Sequence, residues 1–130
     1  MKTLDEVGRD QPSRQAYIDR VVESQLCFVA VHDSEPVGYA VLSYQFYGNG
    51  WVDMLYVGRD SRRRGIGAAL LAYLAQNCTT PKLFASTNQS NTPMQALLEK
   101  AGFESSGAIH NLDVGDPELV YFKPLDRDPE

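Results

Sequence analysis

Three consecutive arginines, Arg62, Arg63 and Arg64, run straight into Gly65-Ile66-Gly67, and Ala68 opens an apolar-periodic segment that reaches Gln76. Guanidinium groups present forked donors that match phosphate oxygens. Glycines let the main chain approach a ligand closely. The first N–H groups of a helix have no partner inside it and carry the positive end of its dipole. Residues 62–68 therefore have the chemistry of an anion-binding turn, and a polyphosphate is the ligand that suits it best. Four of the chain's 12 Lys and Arg residues fall between Arg59 and Arg64, although the net charge is −5. No Gly-Lys-Ser/Thr follows, which excludes a Walker loop, and Leu70 stands where a dinucleotide fingerprint needs its third glycine.

The elements around this turn follow from pattern. Ser13 to Gln25 reads as a first helix, with Tyr17, Ile18, Val21 and Val22 on one side. Leu26–Val31 and Val37–Phe46 read as strands separated by the turn Asp33-Ser34-Glu35-Pro36. Gly48-Asn49-Gly50 reads as a hairpin turn into a third strand, Trp51–Val57, which completes an antiparallel meander. The helix after the basic turn sets Ile66, Leu70, Tyr73, Leu74 and Asn77 on one side. Lys82–Ser86 is a short strand that a helix separates from Trp51–Val57, so the two should run parallel. Asn91 or Thr92 caps the next helix, Pro93 suits its first turn, and Gly102 and Phe103 close it. Ser106–Asn111 and Leu119–Lys123 form a last strand pair joined by the acidic segment Asp113 to Glu118. The chain is expected to be one domain, 1–130, with loose ends at 1–12 and 124–130.

Composition narrows the function. A hydrophobic share of 43% and a charged share of 22% suit a globular protein with one core. The acidic balance argues against a nucleic-acid surface. No segment is apolar for long enough to span a membrane, and Met1 to Glu6 has no signal-peptide core, so a cytoplasmic setting is the expectation. Cys27 and Cys78 read as free structural thiols, and neither they nor His32 and His110 have metal-ligand spacing. Tyr39, Tyr44, Phe46, Tyr47 and Trp51 are open to two readings, pocket lining or ordinary packing.

In this order the pieces resemble the GNAT superfamily of acetyl-CoA-dependent N-acetyltransferases. That family's cofactor motif is Gln or Arg, two variable residues, Gly, one variable residue, then Gly or Ala. Arg62-Arg63-Arg64-Gly65-Ile66-Gly67 fits it, at the expected spacing from Val57. The family's second motif, from an Asn at a helix start to a closing Gly-Phe, is matched by Asn91 to Phe103. The resemblance covers 26–123 and implies a GNAT-like α+β (mixed α/β) fold. Such a fold has an antiparallel meander followed by a parallel, splayed strand, with about six to seven strands flanked by three to four helices. Two departures stand out. Met1 to Pro12 lacks an apolar first strand, so that strand is absent or supplied by a partner. Leu98 occupies the position where the family often has a Tyr acting as acid toward the leaving thiolate.

The resemblance implies acetyl-CoA as cosubstrate and no metal. Its diphosphate would rest on main-chain N–H groups of Arg63, Arg64, Gly65, Ile66, Gly67 and Ala68, with Arg62 and Arg64 nearby. Leu55, Tyr56 and Val57 would pair with the pantetheine arm like an added strand, and Asn91 would touch it from the second helix. A neutral primary amine, on a small molecule or a protein, would attack the thioester directly. The Leu55 N–H is the candidate oxyanion donor and Asp53 the candidate general base. Tyr44, Tyr121 or solvent would protonate the thiolate. The alternative is a non-catalytic acetyl-CoA or CoA sensor, kept open by Leu98. A missing first strand would leave a sheet edge that invites pairing into a homodimer.

Overall fold

The computed structural model describes residues 26–59 and 65–126. The predicted helix Ser13–Gln25, the segment Met1–Pro12, Arg62, Arg63 and Arg64 all lie outside the described residues, as does 127–130. In chain order the elements are β1 (Leu26–His32), β2 (Glu35–Phe46), β3 (Asn49–Val57), α1 (Ile66–Asn77), β4 (Lys82–Asn88), α2 (Thr92–Lys100), β5 (Glu104–Ile109) and β6 (Glu118–Pro124). The strands form one six-stranded sheet ordered β1-β2-β3-β4-β6-β5.

The meander forms as its sequence predicts, with tighter turns. Asp33 and Ser34 alone make the first turn, with φ of 52° and 68°. Glu35 and Pro36 join β2 opposite His32 and Val31. The second turn is Tyr47-Gly48, with φ of 54° and 77°, rather than Gly48-Asn49-Gly50. Two left-handed residues in succession give the turn hand that matches strand twist. Asn49 then pairs with Phe46 as the first residue of β3, and its Nδ2 donates to the Phe46 and Tyr47 carbonyls at 3.3 and 3.4 Å.

Both helices cover one face of the sheet. Ala40 and Leu42 of β2, Val52 of β3, Leu83 and Ala85 of β4 and Tyr121 of β6 form a single core there. Leu70, Leu71, Leu74 and Ala75 of α1, Leu98 of α2 and Phe103 complete it. The side predicted for α1 needs correction. Tyr73 is 50% exposed and meets Phe28 edge-on, whereas Leu71 and Ala75 are buried. The helix is apolar at most positions, so its sequence marks no clear face, and packing across β1, β2 and β3 sets its rotation. On the opposite face Cys27 and Val41 pack with Val29, Tyr39 and Met54. A row of aromatic rings crosses the sheet beside them. Trp51 stacks on Phe46 at 4.5 Å, Phe46 meets Phe84 at 5.0 Å, and Phe84 meets Phe122 at 6.0 Å.

The chain's end is held further along than expected. Pro124 still belongs to β6, and the Leu125 N–H donates to the Pro81 carbonyl at 2.7 Å. The strand β5 begins at Glu104, because the stop of α2 at Gly102-Phe103 leads directly into it.

Candidate active site

The parallel strands β3 and β4 pair at only two positions, Gly50 with Leu83 and Trp51 with Phe84. Beyond these, β3 continues to Val57 and β4 to Asn88 with no further ladder between them. On its other side β4 stays paired with β6 as far as Asn88 and Glu118, so the seam opens while the rest of the sheet holds. The cause lies in β3. Met54 faces Val41 and Val52 faces Leu42, which leaves Asp53 as an extra residue. A bulge bends its strand and sharpens the local twist, and this one turns β3 away from β4 just past the last paired residues. It also resets the alternation. Val52, Leu55 and Val57 all pack on the helix side, while Met54 packs on the other.

The start of α1 follows the open end of β3. Its N-cap is Gly65, with φ 79° and no side-chain cap, and the first turn carries no acidic residue. A β-carbon built on Gly65 would meet nothing within 4 Å, so the space beside it is open. The first internal helix bond runs from the Ala69 N–H to the Gly65 carbonyl at 3.0 Å. The N–H groups of Ile66, Gly67 and Ala68 precede it and belong to the set that a helix cannot satisfy from within. Gly67 serves packing as well, since a β-carbon there would come within 3.0 Å of Leu97 Cδ2 on α2. Donors without a competing carboxylate, beside open space at a helix start, fit the diphosphate of a coenzyme. Gly65, Ile66, Gly67 and Ala68 are the described residues that would hold it.

Asn91 sits at the head of α2 as expected, but its side chain already has a task. Its Oδ1 accepts from the Met94 N–H at 3.1 Å and caps the helix, with Pro93 in the first turn. At the other end Gly102 N–H donates to the Glu99 carbonyl at 3.1 Å and Phe103 N–H to Leu98 at 2.9 Å, which closes the helix with paired bonds. Leu98 is fully buried in the core.

The two tyrosines singled out as acids lie in different places. The Tyr44 hydroxyl donates to the Asn77 carbonyl at 3.4 Å and accepts from the Thr79 N–H at 3.0 Å. It thus clasps the far end of α1, a 12-residue helix that is about 18 Å long at 1.5 Å per residue. The structure does not bring it to the helix start. Tyr121 is buried on the helix side of β6. Burial, with the nearby Glu99 charge adding to it, pushes its phenol above the ordinary value of 10.0. Asp53 is exposed on β3 at the bulge.

Sequence reading missed a second carboxylate. Glu118 Oε2 accepts from the Ser86 hydroxyl at 2.6 Å across the β4–β6 ladder. Strand alternation holds the signal. Ala85 and Tyr121 face the helices, so Ser86, Val120 and Glu118 take the opposite face. The acidic segment before Glu118 is also more ordered than a plain turn. The Asp116 carboxylate accepts from the Ser90 N–H at 2.9 Å and its hydroxyl at 2.6 Å, and Asn88 Nδ2 donates to Asp113 at 2.9 Å. Among the described residues no group of three or more His, Cys, Asp or Glu side chains could hold a metal ion, and no helix is long and apolar enough to cross a membrane.

Comparison with known proteins agrees with this geometry. A family model described as the acetyltransferase (GNAT) family matches residues 3–103. The chain is 28% identical over 107 residues to the peptidyl-lysine N-acetyltransferase YjaB of Salmonella typhimurium, covering 79% of this chain and 69% of that protein. It is 30% identical over 91 residues to the protein of the same name from Escherichia coli, covering 69% of this chain and 57% of that one. A GNAT family acetyltransferase structure from Bacillus cereus superposes with a TM-score of 0.81 at 33% identity, covering 88% of this chain and 81% of that one. A GNAT family acetyltransferase from Elizabethkingia anophelis, solved with acetyl-CoA bound, shares the fold with a TM-score of 0.73 at 23% identity, over 88% and 85% of the two chains.

Proposed function

The chain belongs to the GNAT acetyltransferase family, and from that premise we propose that it moves acetyl from acetyl-CoA to a primary amine by direct attack. Acetyl-CoA is the family's cosubstrate, and it supplies an acyl group activated as a thioester. The observation that carries the reading is the uncapped start of α1, with Gly65 beside open space, next to a seam where β3 and β4 stop pairing.

Each residue then has a task. Main-chain N–H groups of Gly65, Ile66, Gly67 and Ala68 bind the diphosphate, with Arg62, Arg63 and Arg64 adjacent in sequence to add charge. The main chain of Leu55, Tyr56 and Val57 lines the pantetheine arm as a missing strand would. The Leu55 N–H stabilises the oxygen that becomes negative on attack. Asn91 meets the arm through the part of its side chain that the cap leaves over. An alkylammonium has a reference pKa of about 10.4 and must lose a proton before it attacks. Asp53, exposed at the bulge, accepts that proton directly or through water. With Tyr44 bound to the far end of α1, Tyr121 or solvent returns a proton to the thiolate. A thiol with a pKa of about 8.5 leaves without needing a strong acid. The relatives named for peptidyl-lysine make a lysine ε-amine the first acceptor to try.

A second reading, a CoA-binding sensor without turnover, is favoured by one observation: Leu98, at the position of the family's tyrosine acid, is fully buried. Free-thiol release from acetyl-CoA, with and without amines, separates the two. Release that depends on the amine supports the transferase, and tight binding without release supports the sensor. Asp53→Asn should lower kcat by about 100-fold, within the usual range for a general base, while CoA affinity stays within twofold. A pH–rate profile identical to that of the native protein would remove Asp53 from the base role.

A further inference from the structure

The Ser86–Glu118 pair lies on the face of the sheet away from α1 and α2, at the seam that β3 and β4 leave open. Its level can be read from register. The last paired positions are Trp51 and Phe84. Two residues further along each strand stand Asp53 and Ser86, so the missing rungs would set Asp53 across from Ser86. Ser86 in turn reaches Glu118 on β6 at 2.6 Å. That is the length of a hydroxyl bonded to a charged carboxylate. The bond engages Oε2, and Oε1 has no hydrogen bond among the described residues. No Lys, Arg or His among them lies within ion-pair distance of Glu118. A partly buried carboxylate with half its acceptor capacity open is poorly compensated. A cation brought by a ligand would complete it.

Resting on the acetyltransferase reading above, we propose that Glu118, oriented by Ser86, is the seat of the acceptor's ammonium group on the face opposite the helices. The division of labour follows from position. Glu118 and Asp53 flank the seam from β6 and β3. Glu118 binds the incoming alkylammonium through Oε1, and Asp53 takes the proton that must leave before attack. The selected acceptor is an extended cationic amine such as a lysine side chain. An uncharged isostere is excluded because it would leave the carboxylate unpaired.

The test uses the full chain saturated with CoA and a peptide carrying one lysine, its termini blocked, alongside the same peptide with norleucine. Binding is followed by emission of Trp51, the chain's only tryptophan, which stands at the closed end of the seam. Turnover is followed by thiol release from acetyl-CoA. Glu118→Gln should raise both Kd and KM for the lysine peptide at least tenfold, with KM for acetyl-CoA within twofold. Ser86→Ala should raise the peptide values about threefold, because it frees the carboxylate to turn, and it decides the question if Glu118→Gln fails to fold. Lysine-peptide constants within twofold of the native protein in either folded variant would overturn the proposal. Native protein that ignores the lysine peptide, or binds norleucine equally well, would also overturn it. Native protein that binds lysine over norleucine but releases no thiol sustains the seat and refutes the transferase reading instead.

Discussion

Replacing Gly65 by aspartate sets folding and ligand binding against each other. At φ 79° a residue with a β-carbon pays the left-handed penalty, roughly 1–2 kcal/mol. A carboxylate at a helix start recovers roughly 0.3–1 kcal/mol through the dipole. No neighbour within 4 Å obstructs the new side chain, so the net loss of stability is about 1 kcal/mol and the melting temperature falls by about 4 °C. Binding responds far more. A carboxylate about 5 Å from a phosphate charge at an effective dielectric of 20 is opposed by about 3 kcal/mol, and a diphosphate carries more than one charge. Even after solvent screening at this exposed glycine, the expected loss is about 100-fold in CoA affinity, or about 2.7 kcal/mol. Gly65→Asn is the control, with the same backbone strain and no charge, and its loss should stay within tenfold. Calorimetric titration with CoA at two salt concentrations measures both, and added salt should narrow the gap between them. Folded Gly65→Asp that binds CoA within threefold of Gly65→Asn would show that the diphosphate does not rest on the start of α1.

Three further outcomes follow from the same contacts. Asn91→Ala removes the acceptor for the Met94 N–H and should cost about 1 kcal/mol, seen as a lower thermal midpoint. Leu98→Ala empties a fully buried site between α2 and the sheet and should cost about 2–5 kcal/mol, read by urea unfolding with an unchanged m-value. Tyr121 has a raised folded pKa, so its contribution to stability is complete below the unfolded value of about 10 and is lost as pH climbs through the folded value. Unfolding free energy should therefore decline above about pH 10 more steeply in the native protein than in Tyr121→Phe, and parallel curves would refute the assignment.

The anion turn and the second helix were legible because their residues act locally. Gly65 and Gly67 serve backbone geometry, and Asn91, Pro93 and Gly102 are helix punctuation whose meaning does not depend on distant contacts. The parallel placement of β4 followed from the intervening helix. The bulge at Asp53 was not legible. Val52-Asp53-Met54-Leu55-Tyr56-Val57 is apolar at nearly every position, so no alternation existed for an extra residue to break. Tyr73 was placed on the buried side for a related reason, since an almost wholly apolar helix takes its rotation from the strands beneath it. The Tyr47-Gly48 turn slipped by one residue because Asn49 suits a turn but is used as the first rung of β3. Glu118 was invisible as a site residue because its partner Ser86 lies on another strand, and only the antiparallel register of β4 and β6 joins them.

The extra residue in β3 also sets the reading frame of everything downstream in that strand. With Asp53 present, Leu55 and Val57 enter the interior. Deleting that single codon would send Met54 and Tyr56 inward, push Leu55 and Val57 out, and draw the chain toward α1 by one step. Any side-chain exchange at position 53 keeps the frame, so a deletion there is the graver lesion.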